Sequence, residues 1–184
     1  MSADFTEKPI ASRTVYRGRL LQVNEDEVRL PDGGQARREY VLHPGAALIL
    51  PVFDDGSILL ERQYRYPVAM HCYELPAGKL EAGEPSLRTA QRELLEETGY
   101  TAREWSALGP LYPCVGYSNE RIDFYLARGL EFKGKALDDG EFLESLVVPL
   151  EQALSWIRDG RIADAKTMLG LLIAEKLARG EWKV

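Results

Sequence analysis

The chain is 184 residues long, with 23 Lys and Arg against 29 Asp and Glu and a formal net charge of −6. That length suits one domain, or one domain with a small appendage, and 45% hydrophobic with 28% charged residues is the balance of an ordinary soluble globular protein. No apolar run approaches the roughly 20 residues that span a bilayer, residues 1–18 lack the apolar core of a secretory signal, and the acidic balance argues against broad binding of a nucleic-acid backbone. Two cysteines, Cys72 and Cys114, are too few for a disulfide framework and point to a reducing cytoplasm.

In chain order, residues 1–12 are polar and are expected to be loosely held. Between Thr14 and Val41, short alternating stretches flank Pro31-Asp32-Gly33-Gly34, a hairpin signal. Residues 46–53 form a near-continuous apolar run, as a buried strand would. Asp54-Asp55-Gly56 then turns the chain into a second strand, residues 57–64, and the two read as a hairpin in a mixed sheet. Residues 74–84 are a loop punctuated by Pro and Gly. A helix follows, with Pro85 in its first turn, Gly99 as its stop, and an apolar face of Leu87, Ala90 and Leu94. Strands are expected near 105–113, 121–127 and 142–148, with an acidic loop at 138–141 before the last. Helices at about 150–158 and 163–178 close the chain. The order predicts an α/β fold, an α/β/α sandwich with a mixed sheet, plus a small N-terminal antiparallel sheet.

The central helix carries Arg92-Glu93-Leu94-Leu95-Glu96-Glu97, which crowds three carboxylates on one side. Like charges at i, i+4 destabilise an isolated helix by about 0.2–0.5 kcal/mol. Either this is a solvated face offset by Arg88 and Arg92, or a cation sits among the carboxylates. Oxygen-only ligands suit a hard ion, Mg2+ or Mn2+, and neither zinc-type spacing nor an EF-hand loop is present.

Read from Gly78, the pattern is Gly, five residues, Glu84, seven residues, Arg92-Glu93-Leu94, one residue, Glu96-Glu97, one residue, Gly99-Tyr100. This resembles the box of the Nudix hydrolases, GX5EX7REUXEEXGU, with every fixed position filled and Tyr100 at the last, usually aliphatic, position. The resemblance implies metal-dependent hydrolysis of a diphosphate. It implies Glu93 and Glu97 as principal metal ligands, Glu96 beside them, and the Ala77 carbonyl completing the shell. It also implies that Arg92 orients carboxylates and that Glu84 ties the loop to the helix.

Outside the box the chain is similar to the ADP-ribose pyrophosphatases and nucleoside-diphosphate-sugar hydrolases. Tyr16-Arg17-Gly18 and Arg37-Arg38-Glu39 resemble their N-terminal sheet, which swaps across a dimer, so residues 1–42 are expected to be dimer-forming strands and residues 43–184 the hydrolase domain. Gln63-Tyr64-Arg65 resembles a strand end whose arginine contacts the diphosphate, and Glu74-Leu75-Pro76-Ala77-Gly78 resembles the approach to the box. The implied substrate contacts are Arg65, Glu74 and, from the partner subunit, Arg38 and Glu39. The implied general base lies in the acidic loop, Glu141 ahead of Asp139, with Glu120 as a further acid at the substrate. Two departures bear on the substrate: where the group often has Ser-Pro-Gly-Phe, this chain has Cys114-Val115-Gly116-Tyr117, and where some relatives place adenine-stacking aromatics after Tyr-Arg-Gly, it has Arg19-Leu20. A non-catalytic Nudix sensor, or a Nudix enzyme for another nucleoside diphosphate derivative, is the alternative.

The acidity is uneven. Residues 74–97 hold six acids and three bases, and residues 138–151 hold five acids and no base. The rest of the chain is slightly positive, which leaves Arg38 and Arg65 for an anionic substrate.

Overall fold

A computed structural model of the chain describes residues 3–134 and 142–184. It divides into two units, one of Met1–Pro44 with Tyr112–Arg121, the other of Gly45–Leu111 with Ile122–Val184. The first unit is an antiparallel sheet of β1 (Lys8–Arg17), β2 (Gln22–Arg29) and β3 (Gln35–Leu42). The hairpin signal at Pro31–Gly34 is the β2–β3 turn, closed by Leu30 N to Gly34 O at 2.8 Å and Gly33 N to Leu30 O at 3.0 Å. Residues 8–12, expected to be loose, instead lie in β1, paired against residues 26–29 of β2. Lys8, Pro9 and Ser12 leave no apolar alternation there, since β1 is exposed along its whole length. Residues 112–121 join this unit through Val41, whose N–H donates to Tyr117 O at 2.8 Å.

The second unit is the α/β/α sandwich. Its strands are β4 (Ala46–Pro51), β5 (Ile58–Arg65), β6 (Met70–Glu74), β7 (Ala77–Lys79), β8 (Tyr100–Leu111), β9 (Ile122–Phe132) and β10 (Leu143–Val148); its helices are α1 (Ser86–Thr98), α2 (Leu150–Arg158) and α3 (Ala165–Ala178). One sheet runs β7-β4-β9-β8 and is mixed, because β4 and β9 are parallel; the other runs β10-β5-β6 and is antiparallel. Strand alternation sends Leu48 and Leu50 of β4 and Ile58 and Leu60 of β5 into the cluster with α2 and α3. The intervening Ala47, Ile49 and Leu59 pack with Ala90 and Leu94 of α1. Strands covered on both faces read as continuous apolar runs, which is why β4 was plain in the sequence.

Two expectations change here. β4 and β5 are not a hairpin: apart from a single Val52–Ile58 bridge they diverge into different sheets, since each is the centre of its own. The Pro- and Gly-rich stretch before α1 also contains β7, paired with β4 as Leu48 to Ala77. Helix α1 stops where expected, at Gly99 in the left-handed region (φ 80°), with its N–H bonded to Leu95 O. Of the predicted apolar face, Ala90 and Leu94 are fully buried while Leu87 stays 36% exposed. In α3, Gly170 lets the helix sit close to β6 and β9, for a Cβ there would come within 2.4 Å of Leu75 Cδ1. No helix among the described residues is long and apolar enough to cross a membrane.

Candidate active site

Helix α1 has no side-chain N-cap; Glu84, just ahead of it, supplies the tie instead. Its Oε2 accepts from Thr89 Oγ1 at 2.8 Å and from Arg92 Nη2 at 3.1 Å. The hydrogen bond from Arg92, then that from Thr89, lowers the Glu84 pKa to about 2. The other edge of Arg92 reaches the box carboxylates, with Nη1 2.8 Å from Glu93 Oε1 and 3.0 Å from Glu96 Oε2. Hydrogen bonding to Glu84, with the charge of Glu93 and contacts to Glu96, drives the Arg92 pKa further up.

Glu97 is buried and its Oε2 accepts from the Ala77 N–H at 3.3 Å, which fixes strand β7 to the helix. Glu93 lies over Gly78, where a Cβ would sit 1.9 Å from its carboxylate. The first glycine of the box is therefore the space that Glu93 occupies. Glu93, Glu96, Glu97 and Ala77 are thus brought together by two adjacent elements. Among the described residues no three His, Cys, Asp or Glu groups are arranged to hold a metal ion; Arg92 engages two of the three helix carboxylates, and Glu141 and Asp139 fall outside the described residues. The chemistry of the donor set, carboxylate oxygens with Glu93 seated over Gly78, fits a hard divalent cation. Alanine at Gly78 is expected to push Glu93 aside, because its chain end can swing away while the fold holds. Mg2+ affinity should fall about 10- to 100-fold with little change in Tm, as for other groups that orient metal ligands; unchanged affinity by titration calorimetry would count against the cradle.

At the ends of β5 and β6, Arg65 grips Glu74 side-on, Nε to Oε1 at 2.7 Å and Nη2 to Oε2 at 2.8 Å. Lys166 Nζ, from α3, lies 2.6 Å from the same Oε2. Burial pushes the Glu74 carboxyl up, but the hydrogen bond from Arg65 and the charge of Lys166 outweigh it and leave the pKa at about 2. The Glu74 side chain, expected at the substrate, is 3% exposed, with both oxygens engaged by Arg65 and Lys166. Arg65 keeps 43% of its side chain exposed, and the hydrogen bond to Glu74, with the charges of Glu74 and Glu97 behind it, raises its pKa. Lys166 and Thr167 escaped the sequence reading. The only hint was Asp164-Ala165-Lys166-Thr167 at a helix start, which announces a cap but not partners 92 residues away.

The remaining candidates belong to the first unit. Arg38 is paired with Glu7, Nε to Oε2 at 2.9 Å. Glu39 is exposed on β3 opposite Glu25. Glu120 lies 3.7 Å from His43 Nε2.

The second unit is thus a mixed α/β/α sandwich whose helix α1 presents Glu93, Glu96 and Glu97 beside Gly78. A model of the NUDIX domain matches residues 42–169, and one of the nucleoside diphosphate sugar hydrolase N-terminal domain matches residues 7–41. The chain is 40% identical to an ADP-ribose pyrophosphatase of Bacillus subtilis over 163 residues, 88% of each chain, and 38% identical to a methanol dehydrogenase activator of Bacillus methanolicus over 169 residues, 91% of each. A crystal structure of an ADP compounds hydrolase superposes with a TM-score of 0.85 over the whole of both chains at 24% identity, a likeness of fold. The chain belongs to the Nudix family of hydrolases, and it is a pyrophosphatase of that family. Nudix hydrolases use divalent metal ions.

Proposed function

We propose that the chain hydrolyses the diphosphate of ADP-ribose, or of a related nucleoside-diphosphate sugar, to a nucleoside monophosphate and a sugar phosphate. The observation that carries this is the complete box folded so that Glu93 fills the Gly78 cradle beside Glu96 and Glu97. The ADP-ribose pyrophosphatase relative supports the substrate class. Glu93, Glu96, Glu97 and the Ala77 carbonyl would hold Mg2+, or Mn2+ in its place, which would supply Lewis-acid neutralisation of the diphosphate and lower the pKa of a bound water. Arg92 keeps Glu93 and Glu96 oriented, and Arg65 offers its free edge to a diphosphate oxygen. Glu141, with Asp139 near it in sequence, takes the proton of the attacking water; Glu120, Arg38 and Glu39 contact the substrate, the last two across a homodimer formed by residues 1–42 and with residues 43–184 as the hydrolase domain. Two free cysteines support a cytoplasmic location.

The test is turnover of ADP-ribose, ADP-sugars, GDP-mannose and NADH with Mg2+ or Mn2+. AMP and ribose 5-phosphate should appear from ADP-ribose in a metal-dependent way, and 18O-water will mark the phosphorus attacked. Saturable binding without turnover would instead favour a sensor. Light scattering should give twice the 20.7 kDa chain mass; a monomer would remove the contribution of Arg38 and Glu39 from a partner.

A further inference from the structure

The start of α3 does three things within four residues. Asp164 Oδ2 accepts from Thr167 N at 2.9 Å and caps the helix. Thr167 Oγ1, fully buried, accepts from Leu75 N at 2.8 Å. Lys166 Nζ bridges Glu74 Oε2 at 2.6 Å and Asp164 Oδ1 at 2.9 Å, with its side chain only 16% exposed. The helix itself needs only the cap. Lysines are rarely this buried, because the ammonium prefers water, so its burial beside Glu74 calls for another account.

A carboxylate turns broadly about its last torsion. With Arg65 Nε on Oε1 and Lys166 on Oε2, the plane of Glu74 is set from both sides. That plane in turn sets the guanidinium, which uses Nε–H and one N–H of Nη2 on Glu74 and carries both donors of Nη1 on the opposite edge. Lys166 also matters by charge. Glu74 alone would cancel much of the attraction of Arg65 for an anion, whereas Arg65, Glu74 and Lys166 together keep one net positive charge, balanced further back by Asp164.

We propose that Lys166 is a positioning residue for the substrate diphosphate: by pinning Glu74 it aims the free edge of Arg65 and preserves its charge for the ligand. This rests on the reading that Arg65 contacts the diphosphate of the substrate. Steady-state kinetics on ADP-ribose with Mg2+ test it in a cycle of Lys166→Met, Arg65→Ala and the double variant. Lys166→Met should raise KM about tenfold with kcat changed far less, the scale typical of residues that orient a contacting group. Lys166→Arg should restore most of it. In the Arg65→Ala background, Lys166→Met should add nothing, since its effect passes through Arg65. Mn2+ binding followed by electron paramagnetic resonance should be unchanged in Lys166→Met.

An equal KM increase with and without Arg65, or loss of Mn2+ binding, would mean a merely structural role and overturn the inference. If Arg65→Ala raises KM but Lys166→Met does not, the inference fails while the diphosphate contact stands. If Arg65→Ala leaves KM unchanged, both fail. Should Lys166→Met not fold, Lys166→Ala, which removes the donor and leaves room for water beside Glu74 and Asp164, carries the same cycle.

Discussion

Glutamine at both Glu93 and Glu97 should abolish metal-dependent turnover of ADP-ribose, by about a thousandfold or more, the equivalent of several kcal/mol of lost transition-state stabilisation. The two carboxylates are one helical turn apart, Glu93 in the Gly78 cradle and Glu97 anchored by the Ala77 N–H. Glutamine keeps size and most hydrogen bonds but removes two negative charges, so a hard cation loses its attraction while the helix does not lose its packing. Arg92 retains Glu84 and Glu96, and thermal stability without metal should be little changed or improved, because like charges on one face are removed. Turnover within tenfold of the parent enzyme would sink the metal assignment. Loss of turnover together with unfolding would leave it to Gly78→Ala, whose nearest contact is Glu93.

The second large effect is on stability. Glu74→Met should cost about 3–5 kcal/mol, the usual penalty when one partner of a buried ion pair is removed. Lys166 would then face only Asp164 from a site that is largely closed to water. The pH dependence follows from the same cluster. The Glu74 carboxyl titrates near 2 in the fold against an ordinary value of 4.5, so its ionised form favours the folded state. Its contribution is fully present above about pH 4.5 and is lost as pH falls through about 2, a difference of about 3 kcal/mol. Urea unfolding should therefore show parent and variant separated by a constant gap above pH 5 that narrows in acid. A gap below 1 kcal/mol at pH 7 would mean that the triad is not a stabilising unit.

What the sequence revealed follows from how local each feature is. The box was legible because its spacing is played out on one loop and one helix, and periodicity converts that spacing into a face. β4 was legible because both its faces are covered. β1 was not, since an exposed strand with Ser, Arg and Thr carries no apolar alternation. The turn at residues 54–56 was read correctly, but a turn does not say whether the strands it joins will pair; here the two apolar centres separate into two sheets. The engagement of Glu74 by Lys166 was not legible, because that partner comes from α3, 92 positions away. Asp139 and Glu141, expected to supply the base, lie outside the described residues, so their place in the site rests on the family likeness.

The stitching of α3 to the end of β6 also has a consequence for biosynthesis. The ribosome completes Gly78–Tyr100 long before it reaches Asp164, and the Leu75–Thr167 hydrogen bond closes across 92 positions. Contacts of that range form late, after the loop between them has been ordered. A nascent or truncated chain ending before Asp164 can thus carry every carboxylate of the box while the Leu75 N–H and the Glu74 carboxylate still await Thr167 and Lys166. The Arg65–Glu74–Lys166 group is complete only once α3 has joined it.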